Sequence, residues 1–186
     1  LFNKGNTEVW SFSRLAADIF RCTKAPEGMG ADSTVKTAVM HTVIRLISER
    51  EGLLFFDKQA KRASFANTAL TMLSELIHSG VTPEVLGEIL KTAPDNMRDK
   101  LTDLFLIYSE YSSELAALGM RDILLDARLA ADMAEQNGYF NDMCLFMDEF
   151  KSFTGDPYNM IRVMLSQCAE LTVCMTSDDI GKGGFG

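Results

Sequence analysis

Two short apolar runs late in the chain, Met143-Cys144-Leu145-Phe146-Met147 and residues 171–176, constrain the fold more than any other feature. Each is too short for a buried helix, and each stops at a pair of acids, Asp148-Glu149 and Asp178-Asp179. Between them, Asp156-Pro157 starts a helical pattern through Ile161, Met164, Leu165 and Cys168. An apolar run without alternation suits a strand covered on both faces, as in a parallel sheet. Strand, helix, strand with both acidic tips at one end predicts a right-handed crossover unit. The expected fold class is therefore α/β with a parallel sheet.

A second piece of that sheet is expected near the start. Residues 8–12 hold the strand formers Val9, Trp10 and Phe12, and residues 13–23 read as a helix with Leu15, Ala16, Ile19 and Phe20 on one face. Everything between is helical in pattern. Residues 24–30, with Pro26, Gly28 and Gly30, form a loop, and Asp32 caps a helix striped by Val35, Val39, Val43, Leu46 and Ile47. Leu70, Leu73, Leu76 and Ile77 mark a helix stopped by Ser79-Gly80; Thr82-Pro83 opens the next, and Asp95 a longer one. Residues 121–136 close the series at Asn137-Gly138. The predicted organisation is a core segment over 1–24 (strand, helix), a large all-helical sub-domain over 25–140, a core segment over 141–180 (strand, helix, strand), and a glycine-rich tail over 181–186. A three-stranded parallel patch is expected from the two core segments.

Charge and composition remove several function classes. The 186 residues suffice for one domain carrying a sub-domain, and no segment approaches the roughly 20 consecutive apolar residues of a membrane span. A formal net charge of −8 argues against a domain that grips duplex DNA by itself, because phosphate neutralisation supplies most of such affinity. Any nucleic-acid contact must be local. Cys22, Cys144, Cys168 and Cys174 form no C-x-x-C pair, and three lie in apolar runs; they are expected to be buried thiols of a reducing cytoplasm. The glycine-rich 181–184 stretch lacks the context of a phosphate loop.

Two constellations carry chemistry. At the tip of an apolar parallel strand, Asp148 can hold Mg²⁺ through water, and Glu149 can orient and deprotonate an attacking water. The bland alternative is a strand end with solvated acids. Ser11, Phe12, Ser13 and Arg14 bring hydroxyl donors, a ring and a guanidinium to a helix N-terminus, a set suited to holding a phosphate and stacking a base of single-stranded DNA. The alternative there is that Trp10 and Phe12 are core.

Trp10-Ser11-Phe12-Ser13-Arg14-Leu15-Ala16, residues 79–86 (Ser-Gly-Val-Thr-Pro-Glu-Val-Leu), residues 99–104 with Tyr108 and Tyr111, and Met147-Asp148-Glu149-Phe150-Lys151-Ser152-Phe153-Thr154 occur in an order and spacing that resemble the AddB/RexB family. These are the B subunits of bacterial ATP-dependent helicase/deoxyribonucleases. The resemblance implies a fragment of an N-terminal superfamily-1-like helicase region: a P-loop-helicase-like parallel sheet interrupted by a 1B-like helical insertion. It further implies a parent enzyme that binds ATP and Mg²⁺, pairs with an A subunit, acts on single- and double-stranded DNA in the bacterial cytoplasm, and processes double-strand breaks for recombinational repair. The family's phosphate loop is expected upstream of Leu1. Its nuclease domain and iron–sulfur cysteines are expected far downstream, so the four cysteines here are not that cluster. By itself the fragment is expected to be inactive. At the strand tip the family pattern is Asp-Gly-Phe, whereas Asp148-Glu149-Phe150 is closer to a working helicase; residues 176–180 lack the glutamine of active relatives. The first departure argues against a motor unable to hydrolyse ATP and the second points the other way; the expectation leans towards a DNA-guiding, weakly catalytic or inactive motor. The rival reading is a helical adaptor with no DNA or nucleotide role.

Overall fold

The computed structural model describes residues 7–50, 52–150 and 156–175. They are mostly helical, with small parallel sheets: α1 (Phe12–Cys22), β1 (Met29–Ala31), α2 (Ser33–Arg50), α3 (Asp57–Ala60), α4 (Phe65–His78), α5 (Pro83–Lys91), α6 (Asp95–Ala117), β2 (Met120–Asp122), α7 (Asp126–Asn137), β3 (Cys144–Phe150), α8 (Asp156–Gln167) and β4 (Glu170–Met175). The chain divides into two compact units, one formed by Pro26–Asp126 and the other by Leu1–Ala25 with Ala127–Gly186. No helix among the described residues is long and apolar enough to cross a membrane.

The unit over Pro26–Asp126 is a helical core built on α2, which packs against α4 and α6. Its buried stripe is Val39, Met40, Val43, Ile44 and Ile47; it faces Phe65, Ala69, Leu73 and Ile77 of α4 and Leu104, Ile107, Tyr111 and Leu115 of α6. Positions three and four apart fall on one helix face, which is why these residues converge. Local signals set the boundaries. Asp32 Oδ1 accepts the Val35 amide at 2.9 Å, and Thr82 Oγ1 accepts the Val85 amide at 3.3 Å with Pro83 in the first turn. Gly80, at φ +74°, ends α4 in the left-handed conformation, with its amide on the Ile77 carbonyl at 2.9 Å.

Two buried carboxylates tie this unit together. Asp103 on α6 is 1% exposed and accepts the backbone amides of Leu54 (2.9 Å), Phe55 (2.8 Å) and Phe56 (2.9 Å). Asp122, at the end of β2, accepts Lys36 Nζ and the Tyr111 hydroxyl, each at 2.8 Å, and the Leu124 amide at 3.0 Å. Burial, with the Asp122 charge behind it, pushes the Tyr111 phenol well above its ordinary range. β2 runs parallel to β1 in the register Met29↔Met120, Gly30↔Arg121, Ala31↔Asp122. The end of the loop expected over 24–30 and the start of the helix expected over 121–136 are instead this strand pair and a 3₁₀ turn, Ile123–Leu125. Three-residue strands are below the length at which periodicity separates strand from helix.

The other unit packs α1, α7, α8, Phe140 and Met147 around Ile19, Ala130, Ala131, Ala134, Met160 and Val163. Gln167, at the end of α8, donates to the Ala134 and Glu135 carbonyls at 3.1 and 3.0 Å and accepts the Phe140 amide at 3.2 Å. It thereby satisfies groups that the last turn of α7 leaves open. Arg162 of α8 holds Glu135 through both oxygens, at 2.9 and 3.0 Å. Asp18 of α1 accepts the Tyr139 hydroxyl at 2.5 Å, and Arg21 Nε at 3.1 Å. Those bonds, Tyr139 first and Arg21 next, hold the Asp18 carboxyl below its ordinary range, while burial and the Asp18 charge raise the Tyr139 phenol.

β3 and β4 pair in parallel with α8 between them, and the expected three-stranded patch is two-stranded among the described residues. Residues 8–12 are not a strand: 7–11 carry no regular structure and Phe12 opens α1. The β-propensity of Val9 and Trp10 gives way to Ser11, whose side chain caps the helix. Nor is β3 covered on both faces. Met147 is buried and Leu145 partly so, but Cys144 and Asp148 are exposed and Phe146 is 70% exposed. The cysteines are likewise not the buried thiols expected: Cys22, Cys144 and Cys174 are exposed and Cys168 is half-buried.

The two anchors make distinct predictions. Asp103→Ala leaves three amides without their carboxylate and should cost about 2–4 kcal/mol, read as a lowered urea midpoint, while exposed Asp99→Ala stays within about 0.5 kcal/mol. Asp18, its pKa lowered on folding, contributes stability above the ordinary aspartate range and loses it as pH falls through the lowered value. Tyr139→Phe should move the Asp18 titration, followed by carboxyl NMR, back up towards the ordinary value, so that the contribution is lost at a higher pH.

Candidate functional site

The first sequence-derived set sits together at the start of α1. Ser11, extended at φ −79° and ψ 163°, caps the helix, its Oγ accepting the Arg14 amide at 3.3 Å and its carbonyl the Leu15 amide at 2.9 Å. The Ser11 oxygen is thus engaged as an acceptor in the cap, leaving its hydroxyl proton to donate. Ser13 and Arg14 are exposed, and Arg14 makes no ion pair among the described residues. Phe12 is half-buried and packs against the apolar core of its unit, as does Trp10. Both readings of these rings hold in part: each is anchored in the core and keeps some surface open.

Beside this helix start lies an open depression lined by Glu8, Trp10, Arg14, Ala17, Asp18 and Arg21. The Trp10 indole donates to Glu8 at 2.8 Å, which fixes the ring at one wall. Arg21 is bound to Asp18, and Glu8 faces the same space, so two cations meet two carboxylates. Arg14 and a helix N-terminus are groups of the kind that hold phosphate, while the two carboxylates leave the depression without a strong net positive field. Asp18 and Arg21 are not among the residues that the sequence singles out as candidates; their three-residue step on an exposed helix face is the signal that marks the pair.

The second set lies at the end of β3. Pairing with β4 runs Met147↔Val173 and then Phe150↔Met175, so three steps on β3 match two on β4. Asp148 and Glu149 occupy this bulge, a distortion that bends a strand and re-aims side chains. Asp148 is exposed, whereas the side chain of Glu149 lies outside the described residues. The expected acids of the second tip, Asp178 and Asp179, also lie outside them. Among the described residues no group of three or more His, Cys, Asp or Glu could hold a metal ion. A single exposed carboxylate is a hard oxygen donor that suits Mg²⁺ held mainly by water and phosphate.

Known proteins resemble this chain along nearly its whole length. A protein from Clostridium botulinum strain Hall is 25% identical over 180 residues, covering 96% of this chain and 15% of its own. One from Clostridioides difficile strain 630 is 26% identical, covering 95% of this chain and 15% of its own. One from Anoxybacillus flavithermus is 30% identical over 182 residues, covering 92% and 15%. All three are named as the B subunit of an ATP-dependent helicase/deoxyribonuclease. The chain spans about 15% of the length of these curated relatives. The family model described as "ADDB, N-terminal" matches residues 3–183, and the chain belongs to that family.

Proposed function

We propose that this chain is the N-terminal part of the B subunit of an ATP-dependent helicase/deoxyribonuclease, and that it guides single-stranded DNA past the start of α1. The observation that carries the reading is the coincidence of a family match over residues 3–183 with an exposed arginine and serines at a capped helix N-terminus. In this reading Ser11 and Ser13 donate to backbone phosphate, Arg14 neutralises it, and the half-buried Phe12 ring stacks a base. On the same reading residues 1–24 and 141–180 belong to a P-loop-helicase-like core, the first supplying α1 and the second the β3–β4 pair, and the helical insertion expected over 25–140 is 1B-like. The parallel β3–α8–β4 arrangement and the assembly of one unit from two chain segments support an interrupted core, with the helical unit spanning Pro26–Asp126 and α7 packing with the core segments.

ATP and Mg²⁺ belong to the full subunit, where Asp148 would hold the metal through water and Glu149 would orient the attacking water. What this chain supplies is one bulged strand end and an open phosphate contact; on that basis it is inert as an isolated ATPase. The full subunit pairs with an A subunit in the bacterial cytoplasm and acts on double-strand breaks for recombinational repair, and the family's iron–sulfur cluster lies outside these residues.

Base–aromatic stacking is worth about 1–3 kcal/mol, or roughly 5- to 150-fold in affinity. In the full-length polypeptide, Phe12→Ala should weaken single-strand binding by that factor. Arg14→Ala should lower the slope of affinity against salt by about one phosphate contact. Lys91→Ala, on α5, is the surface control. Unchanged affinity and salt slope in both variants, with thermal unfolding intact, would leave the helical-adaptor reading standing instead.

A further inference from the structure

Residues 53–56 form a second exposed aromatic feature, and it is built rather than incidental. Gly52, at φ +74°, closes the end of α2, its amide bonding the Ile47 carbonyl at 2.8 Å. Leu53 and Phe56 then turn inwards, while Leu54 and Phe55 stand 67% and 48% exposed. All three amides from Leu54 to Phe56 are held by the buried Asp103 carboxylate. The Phe55 ring stands edge-on to Phe56 at 4.9 Å, and Phe56 lies 5.3 Å from buried Phe65. An apolar pair is therefore fixed in water by charge-assisted hydrogen bonds, the opposite of a loop whose side chains fold back onto the core.

The charges beside it choose the partner. Asp57, Lys58, Lys61 and Arg62 follow directly, all exposed. Lys61 is paired with Asp57 at 2.9 Å, whereas Lys58 and Arg62 make no ion pair among the described residues. In a chain of net charge −8, this stretch is locally cationic next to a fixed, exposed ring. A ring to stack a base with cations to meet its phosphates is the chemistry of single-stranded nucleic-acid binding.

We propose that Phe55, with exposed Leu54 before it and the exposed cations Lys58 and Arg62 following in the chain, is a further single-stranded DNA contact that stacks an unpaired base. The proposal rests on the DNA-guiding reading above, yet uses residues that reading does not.

The test uses the full-length polypeptide and single-stranded oligonucleotides carrying 2-aminopurine at successive positions. Wild type binds with a fluorescence change at a defined position. Phe55→Ala loses that change and weakens binding about 5- to 150-fold, and Phe55→Trp retains both. Lys58→Ala with Arg62→Ala lowers the salt slope by about 1.4, at about 0.7 per single-strand phosphate. Wild-type binding that the Phe55 and Lys58/Arg62 variants leave unchanged, while Arg14→Ala weakens it, overturns this contact alone. Loss of a co-purifying protein in Phe55→Ala with single-strand affinity intact also overturns it. Absence of wild-type single-strand binding overturns the DNA-guiding reading and this contact with it.

Discussion

The helical unit depends on the buried carboxylate of Asp103. A charge with 1% exposure survives only if its lone pairs are filled, and here three backbone amides of residues 54–56 fill them. The exchange works in both directions, because the same three amides lie where no regular ladder would satisfy them. Asp122 does the equivalent at the opposite end of α2, through Lys36. The helix that supplies much of the unit's apolar stripe is thus held by a carboxylate near its first turn and another just past its last. Removing one partner of such a buried set costs far more than the set contributes by existing.

The other unit uses a different device. Alanines at 130, 131 and 134 give α7 a flat face, and Gln167 and Arg162 of α8 bind its last turn. Tyr139, just after α7, reaches Asp18 on α1. The helix start that presents Ser13 and Arg14 is therefore attached through its own second turn, and the position of Arg14 follows from the Ser11 cap and this tether together. The acids of β3 are set by backbone register, since a bulge separates their pairing from the regular ladder.

What is legible in the sequence is local. Asp32, Thr82-Pro83 and Ser79-Gly80 announce helix ends because capping uses side chains within a few residues. The parallel strands around α8 are legible because an apolar run of five or six residues is too short for a buried helix, although the coverage on both faces expected of it fails at Phe146. Residues 8–12 mislead, because β-propensity is a weak preference and a serine cap outweighs it. The β1–β2 pair is invisible: its partners stand some ninety residues apart, and each is three residues long. Asp103 leaves only a faint trace, an acid four residues before Ile107 on the inner face of α6. The start of α1 draws its meaning from a family pattern more than from residue chemistry, since its cleft balances two cations with two acids.

Amide hydrogen exchange tests most directly whether Asp103 fixes the exposed tip. Residues 54–56 belong to no helix or strand, so amides held only by water would exchange at rates typical of an open loop. The carboxylate clamp predicts that the Leu54, Phe55 and Phe56 amides are protected to the level of the α2 core, and that Asp103→Asn, whose single oxygen keeps the site shared by Phe55 and Phe56, strips protection from Leu54 first, whereas Asp103→Ala strips it from all three. Fast exchange at all three in the wild-type chain, with α2 and α6 still protected, would contradict it.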